Sequence, residues 1–260
     1  MALLEVKDLS IHFGGVKAVS DVSFSLEKGD FIGLIGPNGA GKTTVFNAVT
    51  GVVPPTKGEI YFDGHRLNGM RPDRISHLGI ARTFQNIRIY PRMSVLDNVA
   101  IGLDSHARYH TVSAMLGLPH VRKRDREIRE ICLGFLEQVG IAGHKDAEAG
   151  SLPYGLQRKV EIARALAGNP ALLFLDEPAA GMNTAESMEL VGFLRGLHER
   201  TGIAIVLIEH HLEVVMEVCQ NIHVLNLGRM LASGTPEEIQ KNQDVVTAYL
   251  GERRKRGGRE

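Results

Sequence analysis

A glycine-rich loop around residue 40 has the composition and spacing of a phosphate-binding site. It lies between the apolar run 31–35 and a segment, 44–50, that suits a helix, and its spacing is G-x-x-x-x-G-K-[ST]. Glycines let successive backbone N–H groups approach phosphate oxygens, and the following helix presents its positive end to them. The spacing therefore predicts a nucleotide-binding P-loop formed by Gly36, Pro37, Asn38, Gly39, Ala40, Gly41, Lys42, Thr43 and Thr44.

The last residues of this motif have separate expected roles. Lys42 is expected to reach the β- and γ-phosphates as a point charge, and the Thr43 hydroxyl to take one place around an octahedral Mg²⁺. The alternative, a chance glycine-rich turn, does not explain why strand, loop and helix follow in the required order. We therefore expect a nucleotide and Mg²⁺ as ligands.

Two adjacent acids follow a fully apolar strand predicted at 171–175. Asp176 and Glu177 thus lie at the carboxyl end of a buried strand, where open α/β sheets bind their ligands. We expect Asp176 to hold Mg²⁺ through water, and Glu177 to orient the water that attacks the γ-phosphate or to accept its proton. An exposed acidic turn is the alternative, and the upstream P-loop and Pro178, which ends the strand, argue against it.

A histidine follows the next buried strand, predicted at 203–208. A single histidine at a strand end is usually structural, but the neighbouring strands of this sheet already carry the phosphate and metal groups. We therefore predict that His210 hydrogen-bonds the γ-phosphate and the attacking water.

The composition is that of an ordinary globular protein. The chain has 260 residues, 43% of them hydrophobic, and a formal net charge of +0, so overall electrostatics gives no reason to expect a nucleic-acid partner. The longest apolar runs, 171–175 and 203–208, are far shorter than the roughly 20 residues that cross a bilayer. Residues 1–7 lack the pattern of a secretory signal, which favours the cytoplasm. Cys132 and Cys219 have no metal or redox spacing and are expected to be buried in helices.

Hydrophobic patterning predicts a core with an insertion. Strands precede the P-loop, and strand and helix alternate again from about residue 160, which is typical of a parallel sheet covered by helices. Between 86 and 150, apolar residues recur at helical spacing among many charges. We therefore predict an α/β core from residues 1–85 and 151–250, an inserted helical subdomain at 86–150, and a disordered basic tail at 251–260.

Two basic segments have open interpretations. Residues 122–126 are interpreted as a solvated helix face, with contact to RNA or lipid as the alternative. The tail at 251–260 is interpreted as disordered chain, with binding to anionic lipid as the alternative.

Two further segments complete a family resemblance. Gln85 follows a short predicted strand, and Leu-Pro-Tyr-Gly-Leu-Gln-Arg at 152–158 precedes a helix. Together with the P-loop, the acidic pair and the histidine, these ordered motifs resemble the nucleotide-binding subunit of an ABC transporter over residues 3–251. The resemblance implies an α/β fold with a P-loop NTPase (ABC ATPase) core, an N-terminal antiparallel β-subdomain and an inserted α-helical subdomain. It also implies hydrolysis of ATP with Mg²⁺.

The resemblance implies further roles for individual residues. Gln85 is implied to contact Mg²⁺ or the attacking water and to report on the membrane partner. Phe13, beside a glycine pair, is implied to stack on adenine, whereas a strand phenylalanine by itself more often packs in a core or at an edge. Asn183 matches the loop that crosses the dimer interface. The residues implied to face the γ-phosphate held by the opposite subunit are Pro153, Tyr154 and Gly155.

Four stretches are similar to ATP-binding subunits of branched-chain amino-acid importers, namely 13–19, 81–86, 177–183 and 248–252. This similarity implies a second ABC ATPase subunit, identical or different, integral membrane permease subunits and, indirectly, a solute-binding protein as partners, and no nucleic acid. It implies a peripheral location on the cytoplasmic face of the inner membrane. Two alternatives stay open: the ATPase of another ABC machine, such as a lipid exporter, and a soluble ABC ATPase that acts on ribosomes or DNA.

The signature segment departs from the family's usual L-S-G-G-Q. Pro153 stands in place of serine, Tyr154 in place of glycine and Leu156 in place of glutamine. Proline removes both a hydroxyl and a backbone N–H. We therefore expect ATP turnover that is reduced but not absent.

Overall fold

The chain folds into two compact units. The computed structural model describes residues 2–104, 119–210 and 212–256. The first unit, here called the larger unit, comprises Met1–Arg82 and Ala171–Glu260. The second, here called the helical unit, comprises Thr83–Pro170.

Helices and strands are numbered in chain order through both units. The larger unit begins with β1 (Leu4–Phe13), β2 (Val16–Leu26), β3 (Phe31–Ile35), α1 (Lys42–Val49), β4 (Lys57–Phe62), β5 (His65–Arg66), α2 (Pro72–His77) and β6 (Ile80–Arg82). The helical unit contains α3 (Val95–Asp104), α4 (Pro119–Gln138) and α5 (Tyr154–Ala167). The larger unit then continues with β7 (Leu172–Asp176), α6 (Thr184–Thr201), β8 (Ala204–Ile208), α7 (Leu212–Val218), β9 (Asn221–Asn226), β10 (Arg229–Gly234), α8 (Pro236–Lys241) and α9 (Gln243–Arg256).

An antiparallel sheet forms the first part of the larger unit. Its four strands lie in the order β2-β1-β4-β5. Alternate residues of β1, such as Leu4 and Val6, are buried, as expected for a sheet with one face on the core. Phe13 ends β1 and Val16 begins β2, and both side chains are exposed. This sheet therefore presents apolar side chains at the turn that joins its first two strands.

A mixed sheet forms the second part of the larger unit, with six strands in the order β10-β9-β3-β8-β7-β6. Strand β3 pairs in parallel with β8 and β9, and β7 pairs in parallel with β8 and β6, whereas β10 is antiparallel to β9. All residues of β3, β7 and β8 are buried, as is typical of parallel strands covered on both faces. The carboxyl ends of these three neighbouring strands consequently lie side by side.

The helical unit is held by apolar contacts between its helices. Val95 and Val99 of α3, Leu136 of α4 and Val160 of α5 are buried. A side chain in place of Gly102 would collide with the backbone of Arg164, so this glycine allows close packing of α3 on α5. In the part of the chain that the structure describes, no helix of either unit is long and apolar enough to cross a membrane.

The predicted α/β fold class is confirmed, with a mixed sheet whose central strands are parallel and an N-terminal antiparallel sheet. Pro72 begins α2, and Thr235 and Glu238 form a capping box at the start of α8. The short strand predicted before Gln85 ends at Arg82.

Two boundaries differ from those expected. The helical unit extends beyond 150 to Pro170 and so includes α5, whereas the prediction of an insertion at 86–150 stays a prediction, because compactness does not show which segment was inserted. Helix α9 runs from Gln243 to Arg256 and so includes residues 251–256 of the predicted tail. The prediction of a disordered basic tail at 251–260 stays a prediction. The rest of the predicted tail lies outside the described residues.

Candidate functional site

The predicted P-loop follows β3 and requires glycine at two of its positions. Gly41 has φ 101°, and a Cβ there would lie 2.7 Å from the Ala18 carbonyl oxygen. A Cβ on Gly36 would collide with the Leu225 carbonyl. Gly39 also has a left-handed φ, of 77°, but a Cβ there would meet no atom within 4 Å. The loop therefore keeps its shape because its backbone packs directly against neighbouring backbone.

The helix after this loop offers a positive end. Helix α1 begins at Lys42 with Gly41 as its N-cap, without a side-chain cap or an acidic residue in its first turn. The Lys42 side chain is buried, and its Nζ donates hydrogen bonds to the carbonyl oxygens of Gly36, at 2.7 Å, and Pro37, at 3.1 Å. The partial charge of the helix end and the lysine charge both favour an anion.

A cleft of about 470 Å³ opens on this loop. It is lined by residues of the predicted P-loop, of strand β2 and of the turn before β10. These residues are Val16, Lys17, Ala18, Gly39, Ala40, Gly41, Lys42, Thr43, Thr44 and Leu227. The cleft thus combines the predicted P-loop with two exposed apolar side chains, Val16 and Leu227, and with the Lys17 cation, a lining that suits a nucleotide.

Asp176 ends β7 and is held by an arginine that the sequence did not single out. Its carboxylate is buried, and the Arg82 Nη2 donates to its Oδ2 at 3.2 Å. The Arg82 Nη1 donates to the Asn47 Oδ1 at 2.7 Å and to the Thr50 Oγ at 3.3 Å, which ties the carboxylate to helix α1. Burial raises the pKa of Asp176, and the charges of Arg82 and Lys42 oppose that rise.

Glu177 and His210 lie together beyond the ends of β7 and β8. Glu177 has φ 45°, and its N–H donates to the Ile208 carbonyl oxygen at 2.8 Å, so the turn after β7 is fixed to the end of β8. A left-handed backbone at a residue with a side chain is strained and is characteristic of functional sites. The His210 Nδ1 lies 3.5 Å from the Glu177 Oε2. A carboxylate and an imidazole thus lie side by side, an arrangement suited to acid–base chemistry.

Glu209 supports both of these residues, and sequence reasoning missed it. Its side chain is fully buried, its Oε1 accepts a hydrogen bond from the Ala179 N–H at 2.8 Å, and its Oε2 accepts one from the His210 N–H at 3.1 Å. One carboxylate therefore joins the loop that follows Glu177 to the residue that carries the imidazole. The available signal was an acid directly after a fully apolar strand.

Two other predicted residues of the larger unit have different surroundings. Phe13 is half exposed, at 51%, which leaves a ring face accessible. The Asn183 Oδ1 accepts a hydrogen bond from the Glu186 N–H at 3.0 Å, and the Glu186 carboxylate accepts one from the Asn183 N–H at 2.9 Å. Asn183 is thus the N-cap of α6 in a capping box. Its predicted role at a dimer interface stays a prediction.

The remaining predicted residues belong to the helical unit. Pro153 is the N-cap of α5, and Tyr154 and Gly155 form its first turn. Gln85 lies in the loop before α3, and its carbonyl oxygen accepts a hydrogen bond from the Arg158 Nη2 at 2.9 Å. The structure therefore gathers the P-loop, Asp176, Glu177 and His210 within the larger unit, whereas Gln85 and the signature segment are features of the helical unit.

Comparison with known proteins identifies the family of this chain. The ABC transporter family matches residues 19–180, and the branched-chain amino acid ATP-binding cassette transporter family matches residues 229–255. The chain is 40% identical to the high-affinity branched-chain amino acid transport ATP-binding protein BraF of Pseudomonas aeruginosa, over 96% of this chain and 98% of that protein. It is 41% identical to the corresponding protein LivG of Escherichia coli, with the same coverage.

A solved structure agrees with the fold. An ATP-binding cassette of an ABC transporter in its ADP conformation is 30% identical, with a TM-score of 0.84, over 96% of this chain and 99% of that one. The resemblance inferred from the ordered motifs is thereby confirmed. This protein belongs to the ABC transporter family, as one of its ATP-binding ATPases.

Proposed function

We propose that this protein couples ATP hydrolysis to the import of branched-chain or related amino acids by an ABC transporter. The observation that carries the proposal is the convergence of the P-loop, Asp176, Glu177 and His210 at the carboxyl ends of β3, β7 and β8. Relatives with this chain's length are named as branched-chain amino acid transport ATP-binding proteins. The geometry of the site supports ATP hydrolysis, and the names of the relatives support branched-chain amino acids as the transported solutes.

The P-loop is proposed to hold the phosphates and to share a Mg²⁺ ion with two other positions. Mg²⁺ usually binds one or two carboxylates together with substrate phosphates, and the Thr43 hydroxyl and the Asp176 carboxylate fit such a set. Gln85 is the third proposed ligand. When bound, Mg²⁺ neutralises charge on the β- and γ-phosphates. Lys42, which now donates to two loop carbonyls, adds a second positive charge by turning its Nζ towards the phosphates.

Glu177 is proposed to orient the attacking water and accept its proton, and His210 to donate a hydrogen bond to the γ-phosphate. Their side chains lie 3.5 Å apart, so one water molecule and one phosphate oxygen can reach both. The fixed turn at Glu177 favours this role, because a positioned base loses little entropy in the reaction.

The signature segment and Asn183 are proposed to act on a second ABC ATPase subunit, identical or different. The N-terminus of α5 would present its dipole to the γ-phosphate held by that subunit. Pro153 at the N-cap offers no hydroxyl, so this contact is weaker than a serine would make. We infer reduced turnover at a site completed by this segment.

The cargo and location follow from the relatives. Permease subunits in the inner membrane would anchor this protein on the cytoplasmic face, and a solute-binding protein would deliver a branched-chain amino acid to them. Mg²⁺-ATP binding would close the two ATPase subunits and hydrolysis would reopen them, which moves the attached membrane helices.

Stimulation of ATP turnover by the solute, measured in vesicles, tests this proposal. The full chain is purified with the membrane proteins that accompany it and placed in vesicles with the solute-binding protein. ATP turnover is measured with leucine, isoleucine or valine, and with aspartate as the matched control solute. We expect severalfold stimulation by at least one branched-chain amino acid and none by aspartate. Equal turnover with every solute, or stimulation by aspartate alone, would refute the proposed cargo class.

A further inference from the structure

A buried ion pair lies inside the helical unit, one helical turn apart on α5. The Arg158 Nη1 lies 2.6 Å from the Glu161 Oε2, and the side chains are 0% and 2% exposed. Arg158 closes the segment 152–158, but neither residue has been given a role in binding or hydrolysing ATP above. Two charged groups removed from water need partners, and their hydrogen bonds show which part of the chain they hold.

Both charged groups bind the backbone of the loop that carries Gln85. The Arg158 guanidinium donates to the carbonyl oxygens of Phe84, at 2.7 Å, and Gln85, at 2.9 Å. The Glu161 Oε1 accepts hydrogen bonds from the N–H groups of Phe84 and Arg88, each at 3.3 Å. Four hydrogen bonds thus connect helix α5 to a loop more than 70 residues away in the chain.

The same guanidinium also reaches the signature segment. Its central carbon lies 6.0 Å from the centre of the Tyr154 ring, within the range of a cation–π interaction. Arg158 therefore contacts both the Gln85 backbone and the first residue of α5. A shift of the Gln85 loop or of the start of α5 would therefore displace the Arg158 side chain, which contacts both.

Stability alone does not account for this pair. Desolvation largely offsets the attraction in a buried ion pair, and such pairs can often be replaced by apolar residues without loss of stability. What a planar guanidinium supplies is a fixed geometry, because its donors point in set directions. The pair specifies where the backbone of residues 84–88 lies relative to the start of α5.

We propose that Arg158 and Glu161 are positioning residues that couple the Gln85 loop to the signature end of α5, so that the two move as one block. The inference rests on the proposed roles of Gln85 and the signature segment in ATP hydrolysis. Gln85 acts at the subunit's own ATP, and the signature segment acts at the ATP held by the opposite subunit. The ion pair consequently links the two ATP sites through one subunit.

Single substitutions separate positioning from folding. Arg158→Lys keeps the positive charge but cannot donate to the Phe84 and Gln85 carbonyl oxygens in the same geometry. Glu161→Ala removes the acceptor of the two loop N–H groups, whereas Glu161→Gln keeps one acceptor oxygen. Ile162→Val, a buried change on the same helix that touches neither carbonyl nor amide of the loop, is the control for lost stability.

Turnover kinetics give the main readout, in the full chain purified with its membrane partners. We expect kcat to fall about ten- to a hundredfold in Arg158→Lys and Glu161→Ala, with a much smaller change in KM for ATP, because the P-loop that is proposed to hold the phosphates is not altered. Glu161→Gln should recover part of kcat, and Ile162→Val should match the wild type. Wild-type kcat in Arg158→Lys, or a rise in KM alone, overturns the proposal. If Glu161→Ala does not fold, Arg158→Lys and Glu161→Gln carry the test.

Amide hydrogen exchange gives an independent readout. In Glu161→Ala we expect faster exchange at the Phe84 and Arg88 amides, with the P-loop amides unchanged. Unchanged exchange at those two amides overturns the proposed tie. A parallel Glu177→Gln variant separates this proposal from the proposed function. If ATP turnover survives in Glu177→Gln, the proposed role of this site in ATP hydrolysis fails. If turnover is lost in Glu177→Gln but Arg158→Lys keeps the wild-type kcat, only the proposed coupling fails.

Discussion

Replacing Glu209 tests whether one buried carboxylate holds the two loops of the ATP site. Glu209→Ala removes the acceptor for the Ala179 N–H and for the His210 N–H. Ala179 is 0% exposed, so its amide loses its partner without access to water, at a cost of about 1–3 kcal/mol. The His210 amide belongs to a residue that is 43% exposed in its side chain and adds less.

The expected loss of stability converts to a melting temperature. At about 2–4 °C per kcal/mol for a protein of this size, Glu209→Ala should melt about 2–12 °C below the wild type. Glu209→Gln keeps one acceptor oxygen for Ala179 and should melt between the two. Turnover should fall about ten- to a hundredfold in Glu209→Ala, since the loop that follows Glu177 and the backbone of His210 lose their common hydrogen-bond acceptor.

Thermal unfolding followed by circular dichroism, and ATP turnover of the same preparations, check this expectation. Glu213→Ala, which removes an exposed carboxylate from α7, is the matched control and should leave both quantities unchanged. If Glu209→Ala melts with the wild type and turns over ATP at the wild-type rate, the carboxylate does not hold these loops and the reasoning is refuted.

Three further predictions test other parts of the site. Gly41→Ala should abolish ATP binding, because its Cβ would lie 2.7 Å from the Ala18 carbonyl oxygen, whereas Gly39→Ala, with open space around the Cβ, should weaken binding less. Equal ATP affinities of the two variants in a titration would contradict this expectation. Phe13→Ala should raise KM for ATP by about five- to a hundredfold through lost stacking, and Phe13→Tyr should not; an unchanged KM in Phe13→Ala argues against adenine stacking. Pro153→Ser should raise ATP turnover of the assembled complex by adding an N-cap hydroxyl, and a fall or no change would count against the proposed weakness of this segment.

Some of the site could be predicted from the sequence because its geometry is local. The Lys42 Nζ donates to carbonyl oxygens only five and six residues earlier in the chain, so the sequence spacing of the loop is enough to place the lysine beside the loop backbone. Asp176 and His210 follow apolar runs, and parallel strands bring such ends to one edge of the sheet. The capping box of Asn183 and Glu186 is likewise local, because the pattern N-x-x-E at the start of a helix predicts it.

Other residues could not be predicted because their partners are distant in the chain. Arg82 bonds to a carboxylate 94 residues away, Glu209 to an amide 30 residues away, and Arg158 to a carbonyl 74 residues away. No local period or spacing marks a charged residue as buried, so only the fold reveals these contacts.

The central claim is that Glu177 performs ATP hydrolysis at the edge of the parallel sheet. The most direct measurement compares ATP turnover and ATP affinity of the full chain, purified with its membrane partners, in the wild type, Glu177→Gln and the control Glu213→Gln. We predict that Glu177→Gln loses about a hundredfold or more in turnover and keeps the wild-type affinity for ATP, whereas the control keeps both. Turnover in Glu177→Gln close to that of the wild type would contradict the claim.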